Sequence, residues 1–218
     1  VAETIKEQKQ AKSVEIIVMN PNNGEIYSMT SVPEFNLNEP YKLPEEVNKR
    51  SHKDKMNQMN AMWRNGCVSD TYEPGSTFKI LTMAAALEKN AVKMTDHFHC
   101  PGYIVVEDRR IRCHKVTGHG SETFLEGVMN SCNPVFITIG GRVGADGMFE
   151  MLKQFGALDK TGIDVPGEAR TIMHQKKNVG AVELATISFG QSFQMSPIRL
   201  MACASAIING GNQITPHF

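Results

Sequence analysis

The sequence predicts an α+β domain in which helices pack on an antiparallel sheet, and three observations lead to that class. Residues 14–20 and 25–31 are two β-rich runs separated by Pro21-Asn22-Asn23-Gly24, a cluster of turn formers. The chain that follows is dominated by apolar stretches of helical length, the clearest opening at Ser76 and at Pro197. Helices of that kind must cover a sheet, and two strands are too few for it. The sheet is therefore small, or its later strands lie beyond Phe218.

Each element follows from local chemistry. The first two runs form a hairpin across the Pro-Asn-Asn-Gly turn, and residues 33–44, rich in Pro and Asn without periodicity, make a surface excursion. Pro74-Gly75 then breaks the chain, and residues 76–90 read as a buried helix with Ser76 at or near its start. Between Cys100 and Cys113 an alternating stretch with a polar centre at Glu107-Asp108-Arg109 predicts a small hairpin that brings the two cysteines close. Helices follow over 121–131, over 135–143 behind Pro134, and over 148–155, 182–189 and 197–209, the last ending at Gly210-Gly211.

Composition narrows the function. The 218 residues are 41% hydrophobic, enough to bury a core, and 23 basic against 23 acidic side chains give a formal net charge of +0. Without a Lys/Arg stripe the chain lacks the footprint of a nucleic-acid binder. No apolar run approaches the ~20 residues of a membrane helix, and the first twelve residues are too charged for a signal peptide, so the chain reads as soluble as written. Five cysteines, an odd number irregularly spaced, are not a disulfide framework.

Ser76 and Lys79 carry the first chemical signal. Spaced i, i+3, they project from one helix face about a turn apart. A serine hydroxyl needs a neighbour to take its proton, and a lysine serves only when desolvation lowers its pKa. The run Ile80-Leu81-Thr82-Met83-Ala84-Ala85-Ala86-Leu87 puts Lys79 in such surroundings, and the free N–H groups at the helix start suit an oxyanion. Ser-x-x-Lys alone arises by chance, and a capping serine with a solvated lysine is the plainer alternative.

The wider pattern removes that ambiguity. Tyr72-Glu73-Pro74-Gly75-Ser76-Thr77-Phe78-Lys79 resembles the nucleophile segment of class B penicillin-binding proteins, and Ser131-Cys132-Asn133 resembles their second element, Ser-x-Asn. Gly118-His119-Gly120, the segment Thr161-Gly162-Ile163-Asp164-Val165-Pro166-Gly167-Glu168, Phe189-Gly190-Gln191 and Ile208-Asn209-Gly210-Gly211 follow in family order. The resemblance is closest to Gram-positive members of septal or spore-cortex synthesis. It implies the fold of penicillin-binding transpeptidases and serine β-lactamases, and a D,D-transpeptidase acting on peptidoglycan stem peptides, with β-lactam antibiotics acylating the same serine.

In that resemblance Ser76 is the nucleophile and Lys79 its base, Ser131 shuttles a proton to the leaving amine, and Asn133 bonds the substrate and holds Lys79. Gly190 and Gln191 fall in a substrate-binding segment. A glycosyltransferase of the wall-synthesis complex is the implied partner, and the extracytoplasmic face of the bacterial membrane the implied location, reached through an anchor outside these residues. A serine β-lactamase or β-lactam sensor, and a non-catalytic module of a wall-synthesis complex, are the rival functions.

The family's later Lys-Thr-Gly strand is not found. Lys160-Thr161-Gly162 spells the triplet inside the Thr-Gly-Ile-Asp-Val-Pro-Gly-Glu segment with no β-rich run, and reads as a loop. Without that strand the oxyanion hole lacks a donor, worth ~10²–10³ in rate, and residues 1–218 alone are expected to acylate slowly or not at all. His97, His99, His114 and His119 crowd around Cys100 and Cys113, which suggests a structural zinc site of His99, Cys100, Cys113 and His119, with Asp96 or His114 as alternatives to His99. A Cys100–Cys113 disulfide and unlinked buried thiols remain open. Cys67, Cys132 and Cys203 read as buried thiols.

Overall fold

A computed structural model describes residues 1–218. The chain opens with helix α1 (Ala2–Lys9) and the expected hairpin, strands β1 (Val14–Met19) and β2 (Ile26–Val32), paired antiparallel from Val14↔Val32 to Val18↔Ser28 with an irregularity at Met19. The excursion after β2 leads into α2 (Glu45–Asn48), α3 (His52–Met62) and α4 (Gly66–Ser69). A 3₁₀ turn (Gly75–Phe78) then feeds α5 (Lys79–Glu88). Strands β3 (His97–Cys100), β4 (Tyr103–Val106), β5 (Arg109–Arg112) and β6 (Gly120–Thr123) precede α6 (Phe124–Met129), α7 (Asn133–Gln154), α8 (Ala181–Ile187) and α9 (Pro197–Ile208).

The sheet is divided. Three two-stranded antiparallel sheets are present, β1-β2, β3-β6 and β4-β5, and the first leaves one edge of β1 unpaired. A cavity of about 560 Å³, lined by Ile16, Ile17, Ile80, Leu200 and Met201 among others, runs beside β1. Its walls are mostly apolar, with Glu15, Tyr72 and Thr77 as the polar exceptions.

Helix α5 is the centre of the fold, packed on α7 and α9, and α8 packs on α7 with its end held to α5 by Thr82 Oγ1 donating to Ser188 O at 2.9 Å. Phe78, Leu81, Met148, Leu152, Ile187 and Met195 form the main core. Phe124, Val135, Phe136 and Ile139 form a second with Cys100, Cys113 and Cys132, and Cys67, Val68, Ile163 and Ile198 a third against Ile26 of the hairpin. At roughly 1.5–3 kcal/mol per buried large apolar side chain, these clusters supply the driving force that fixes α5.

The expected helices differ from those observed in two places, for visible reasons. Residues 120–123 pair with β3 (His97↔Thr123 to Cys100↔Gly120), so the helix expected from Ser121 starts at Phe124. Thr123 sets that start: its Oγ1 accepts from the N–H of Glu126 at 3.2 Å, and Glu126 Oε2 accepts from the N–H of Thr123 at 2.7 Å. The expected helices at 135–143 and 148–155 join into α7 across Gly144, whose φ of 73° and ψ of 166° are open to glycine and costly to other residues. Helix α9 opens as its sequence dictates, with Ser196 Oγ accepting from the N–H of Arg199 at 3.3 Å and Pro197 at the first position.

Candidate active site

Phe78 is the anchor that orients the nucleophile turn. It is fully buried, edge-on to Phe193 at 4.8 Å between ring centroids, which turns Ser76 and Thr77 outward. Ser76 therefore lies in the 3₁₀ turn and Lys79 opens α5 behind it, 3% exposed. The segment after α8 braces the turn from behind. The N–H of Gly75 donates to Gly190 O at 2.8 Å, the N–H of Ser192 donates to Glu73 Oε1 at 2.8 Å, and Tyr72 and Met195 exchange backbone bonds at 3.1 Å.

Gly190 is required there by geometry. Its φ is +82°, and a Cβ would stand 2.1 Å from Gly75 O. The structure thus places Gly190 backbone to backbone against the nucleophile turn, while Gln191 is exposed. Glu73, which sequence reasoning left without a role, is the side chain that ties the two segments; its place three residues before Ser76 was the only hint.

The α6–α7 junction supplies the facing groups. Ser131 sits at φ 48°, an unusual conformation for a residue with a side chain, costing of order 1–3 kcal/mol. It is held by backbone bonds from Ser131 N–H to Val128 O and from Cys132 N–H to Gly127 O, both 2.9 Å. The junction aims three oxygens at Lys79. Its Nζ donates to Ser131 O at 2.7 Å, Ser131 Oγ at 3.0 Å and Asn133 Oδ1 at 2.7 Å, and lies 5.2 Å from the Phe136 ring centre.

Burial lowers the pKa of Lys79 to about 8, against an opposing effect of the nearby Cys113 and Cys132 thiols. An ammonium has three N–H donors, and all three are spent on this corner. The neutral amine has two donors and a lone pair, which suits it to accept a proton from a hydroxyl in the same cleft. Ser76, Lys79 and Ser131 line one cavity of about 310 Å³ with Thr77, Ile80, Met83, Val128 and Phe136. Asn133 also reaches outward, its Nδ2 donating to Arg112 O at 3.0 Å and so pinning the β4-β5 hairpin to the site.

Directly beneath lies a cluster of thiols. Sγ of Cys100, Cys113 and Cys132 and a ring nitrogen of His119 all lie within 4.8 Å of one another, and Cys113 Sγ is 3.7 Å from His119 Nδ1. The hairpin does bring Cys100 and Cys113 together, helped by the N–H of Cys113 donating to Gly102 O at 2.9 Å. All five cysteines are free. His99 is not in the cluster. Adjacent strand residues face opposite sides, so with Cys100 buried His99 is exposed, and Cys132 takes its place. Asp96 is bonded to Arg142 Nη1 at 2.7 Å, and His114 Nδ1 stands 3.8 Å from Cys113 Sγ.

Glu122 completes the surroundings. It is 3% exposed, accepts from Asn130 Nδ2 at 3.1 Å, and has its Oε1 without a hydrogen-bond partner. Burial, then the adjacent Glu122 carboxylate, push the Cys132 thiol up. A tetrahedral zinc with sulfur at about 2.3 Å needs donor atoms about 3.5–3.8 Å apart, so this donor set can hold such an ion with small adjustment. The Lys160-Thr161-Gly162 triplet is elsewhere and is a loop, its Thr161 and Gly162 N–H groups donating to Glu168 at 2.5 and 3.1 Å.

A hydroxyl on an exposed turn, a lysine of lowered pKa and a Ser-x-Asn corner sharing one cleft are arranged for acyl transfer through a serine. The chain belongs to the penicillin-binding protein transpeptidase domain family, which matches residues 14–218. It is 43% identical over 202 residues to stage V sporulation protein D of Bacillus subtilis, covering 92% of this chain and 29% of that protein. Peptidoglycan D,D-transpeptidase MrdA of Acinetobacter baumannii is 27% identical over 217 residues, covering 93% and 31%. The chain thus spans less than a third of the length of these relatives. Among solved structures, the transpeptidase domain of penicillin-binding protein 3 from Burkholderia pseudomallei superposes with a TM-score of 0.80 at 22% identity, over 99% of this chain and 56% of that one. A peptidoglycan glycosyltransferase from Burkholderia ambifaria gives 0.80 at 21%, over 99% and 59%. Both establish the fold.

Proposed function

We propose that the protein carrying residues 1–218 is a D,D-transpeptidase that cross-links peptidoglycan stem peptides through an acyl-enzyme on Ser76. The observation that carries this reading is the Lys79 corner: a buried amine of lowered pKa shared by Ser131 and Asn133 in the cleft that Ser76 lines. Neutral Lys79 takes the Ser76 proton as Oγ attacks the penultimate D-alanine carbonyl. The N–H of Ser76 faces the developing oxyanion. Ser131 Oγ, 3.0 Å from Lys79 Nζ, passes the proton to the leaving D-alanine amine. An amine from a second stem then reverses these steps and forms the cross-link. β-Lactams acylate Ser76 by the same attack.

In this reading Ser76, Lys79, Ser131 and Asn133 form one wall of the site. The full-length protein would then work on the extracytoplasmic face of the bacterial membrane beside a glycosyltransferase of the wall-synthesis complex, as the resemblance implies; no helix here is long and apolar enough to cross a membrane. Cys100, Cys113, His119 and Cys132 fit a structural zinc ion, which would brace the Ser131-Cys132-Asn133 backbone and contribute no chemistry to the reaction.

Incubating the full-length protein with stem peptides ending in D-Ala-D-Ala tests the reading. Release of D-alanine matched by cross-linked dimer is expected. Multiple turnovers of a chromogenic cephalosporin without cross-linking would instead establish a β-lactamase.

A further inference from the structure

The β4-β5 hairpin is a cationic ribbon tied to the cleft through Asn133, whose Nδ2 donates to the carbonyl of Arg112. Register fixes its two faces. Ile104 opposite Ile111, with Val106, packs inward on Ile137, Ala185 and Phe189, whereas Tyr103 opposite Arg112 and Val105 opposite Arg110 face outward. The segment from Tyr103 to Lys115 carries four basic side chains, Arg109, Arg110, Arg112 and Lys115, against two acidic ones, Glu107 and Asp108, in a chain of zero formal charge. Arg109 is paired with Asp108 at 3.5 Å, and all six are exposed. The Arg110 guanidinium carbon sits over the Tyr103 ring, 3.7 Å from its centre, which stiffens the side chain and leaves N–H donors for a carboxylate.

Position makes this more than a solvated face. The carbonyl of Arg112 is held by Asn133 Nδ2 at 3.0 Å, and Asn133 Oδ1 holds Lys79 Nζ at 2.7 Å, so a single side-chain amide separates the end of β5 from the general base. Ser131 and Asn133 occupy the side from which the leaving amine departs, and by microscopic reversibility the accepting amine enters there. We propose that Arg110 and Arg112 form a subsite for a free carboxylate on the acyl acceptor, an amine-bearing stem peptide, and so select anionic acceptors over amidated ones. This rests on the transpeptidase reading for the identity of the ligand; the subsite itself rests on the hairpin.

The test is a ligand-observed NMR titration of the full-length protein with an amine-bearing stem peptide and with the same peptide whose carboxylates are carboxamides. The free acid should bind about tenfold more tightly at low salt, as two exposed guanidinium–carboxylate contacts allow, and raised salt should erode the difference. In R110E/R112E the preference should vanish or invert; in R110Q/R112Q, which removes the charge without reversing it, the affinity ratio should fall to about one. Equal affinities in the unsubstituted protein, or a preference that survives both double variants, would overturn the subsite. Penicillin labelling of Ser76 in the same preparations needs no acceptor, and its failure would speak against the transpeptidase reading separately.

Discussion

Replacing Asn133 by Asp changes almost no volume and puts a negative charge where Asn133 Oδ1 now stands, 2.7 Å from Lys79 Nζ. At an effective dielectric of about 20, unit charges at that separation attract by about 6 kcal/mol. If desolvation of the new carboxylate cancels two thirds of this, the remaining ~2 kcal/mol still raises the Lys79 pKa by about 1.5 units. The sign follows from the chemistry. With Lys79 as the proposed base its neutral form is the active one, so acylation should rise with pH through about 8 in the unsubstituted protein. In N133D that limb moves at least ~1.5 units toward alkaline pH, and at pH 7 the neutral fraction falls from about a tenth by a further ~30-fold. The assay is the second-order rate of fluorescent penicillin labelling of the full-length protein from pH 6 to 10. N133A, which also loses the bond to Arg112 O but adds no charge, should keep its limb at or below that of the parent. An N133D profile that overlays the parent's would refute Lys79 as the base held by Asn133.

Three further outcomes follow from packing and the thiol cluster. Gly190→Ala forces a Cβ to 2.1 Å from Gly75 O at a φ of +82°, which should cost roughly 2–3 kcal/mol, lower the melting midpoint by about 5–10 °C and slow Ser76 labelling. Protein purified without chelator should carry one equivalent of zinc by elemental analysis. C132A should carry less than about a tenth of that and H99A the full amount; the reverse would restore His99 as ligand. Glu168→Ala strips the acceptor from two loop N–H groups, so denaturant unfolding should show a loss of about 2–4 kcal/mol.

Much of the fold was legible because local chemistry is explicit in it. Pro21 to Gly24 marks the first hairpin, Ser196-Pro197 caps α9, and the apolar run after Lys79 marks α5. Helix α3 was not legible, because no residue of it is buried and so no apolar stripe repeats along it. Strands β3 and β6 were not, because four-residue strands paired across twenty residues leave no local pattern. That omission carried into the site. Without β3 the alternation that buries Cys100 and exposes His99 was invisible, and nothing in the spacing of Cys132 joined it to thiols 19 and 32 residues earlier. The catalytic candidates were legible because one helix turn and one helix junction set them locally; the cluster beneath them depends on three elements meeting.

If Ser76 is the acyl-accepting nucleophile, brief exposure of the full-length protein to penicillin, followed by intact-mass and peptide mass spectrometry, should give one penicilloyl adduct, confined to the peptide containing Ser76 and absent in S76A. An adduct on another residue, or one that persists undiminished in S76A, would contradict that role.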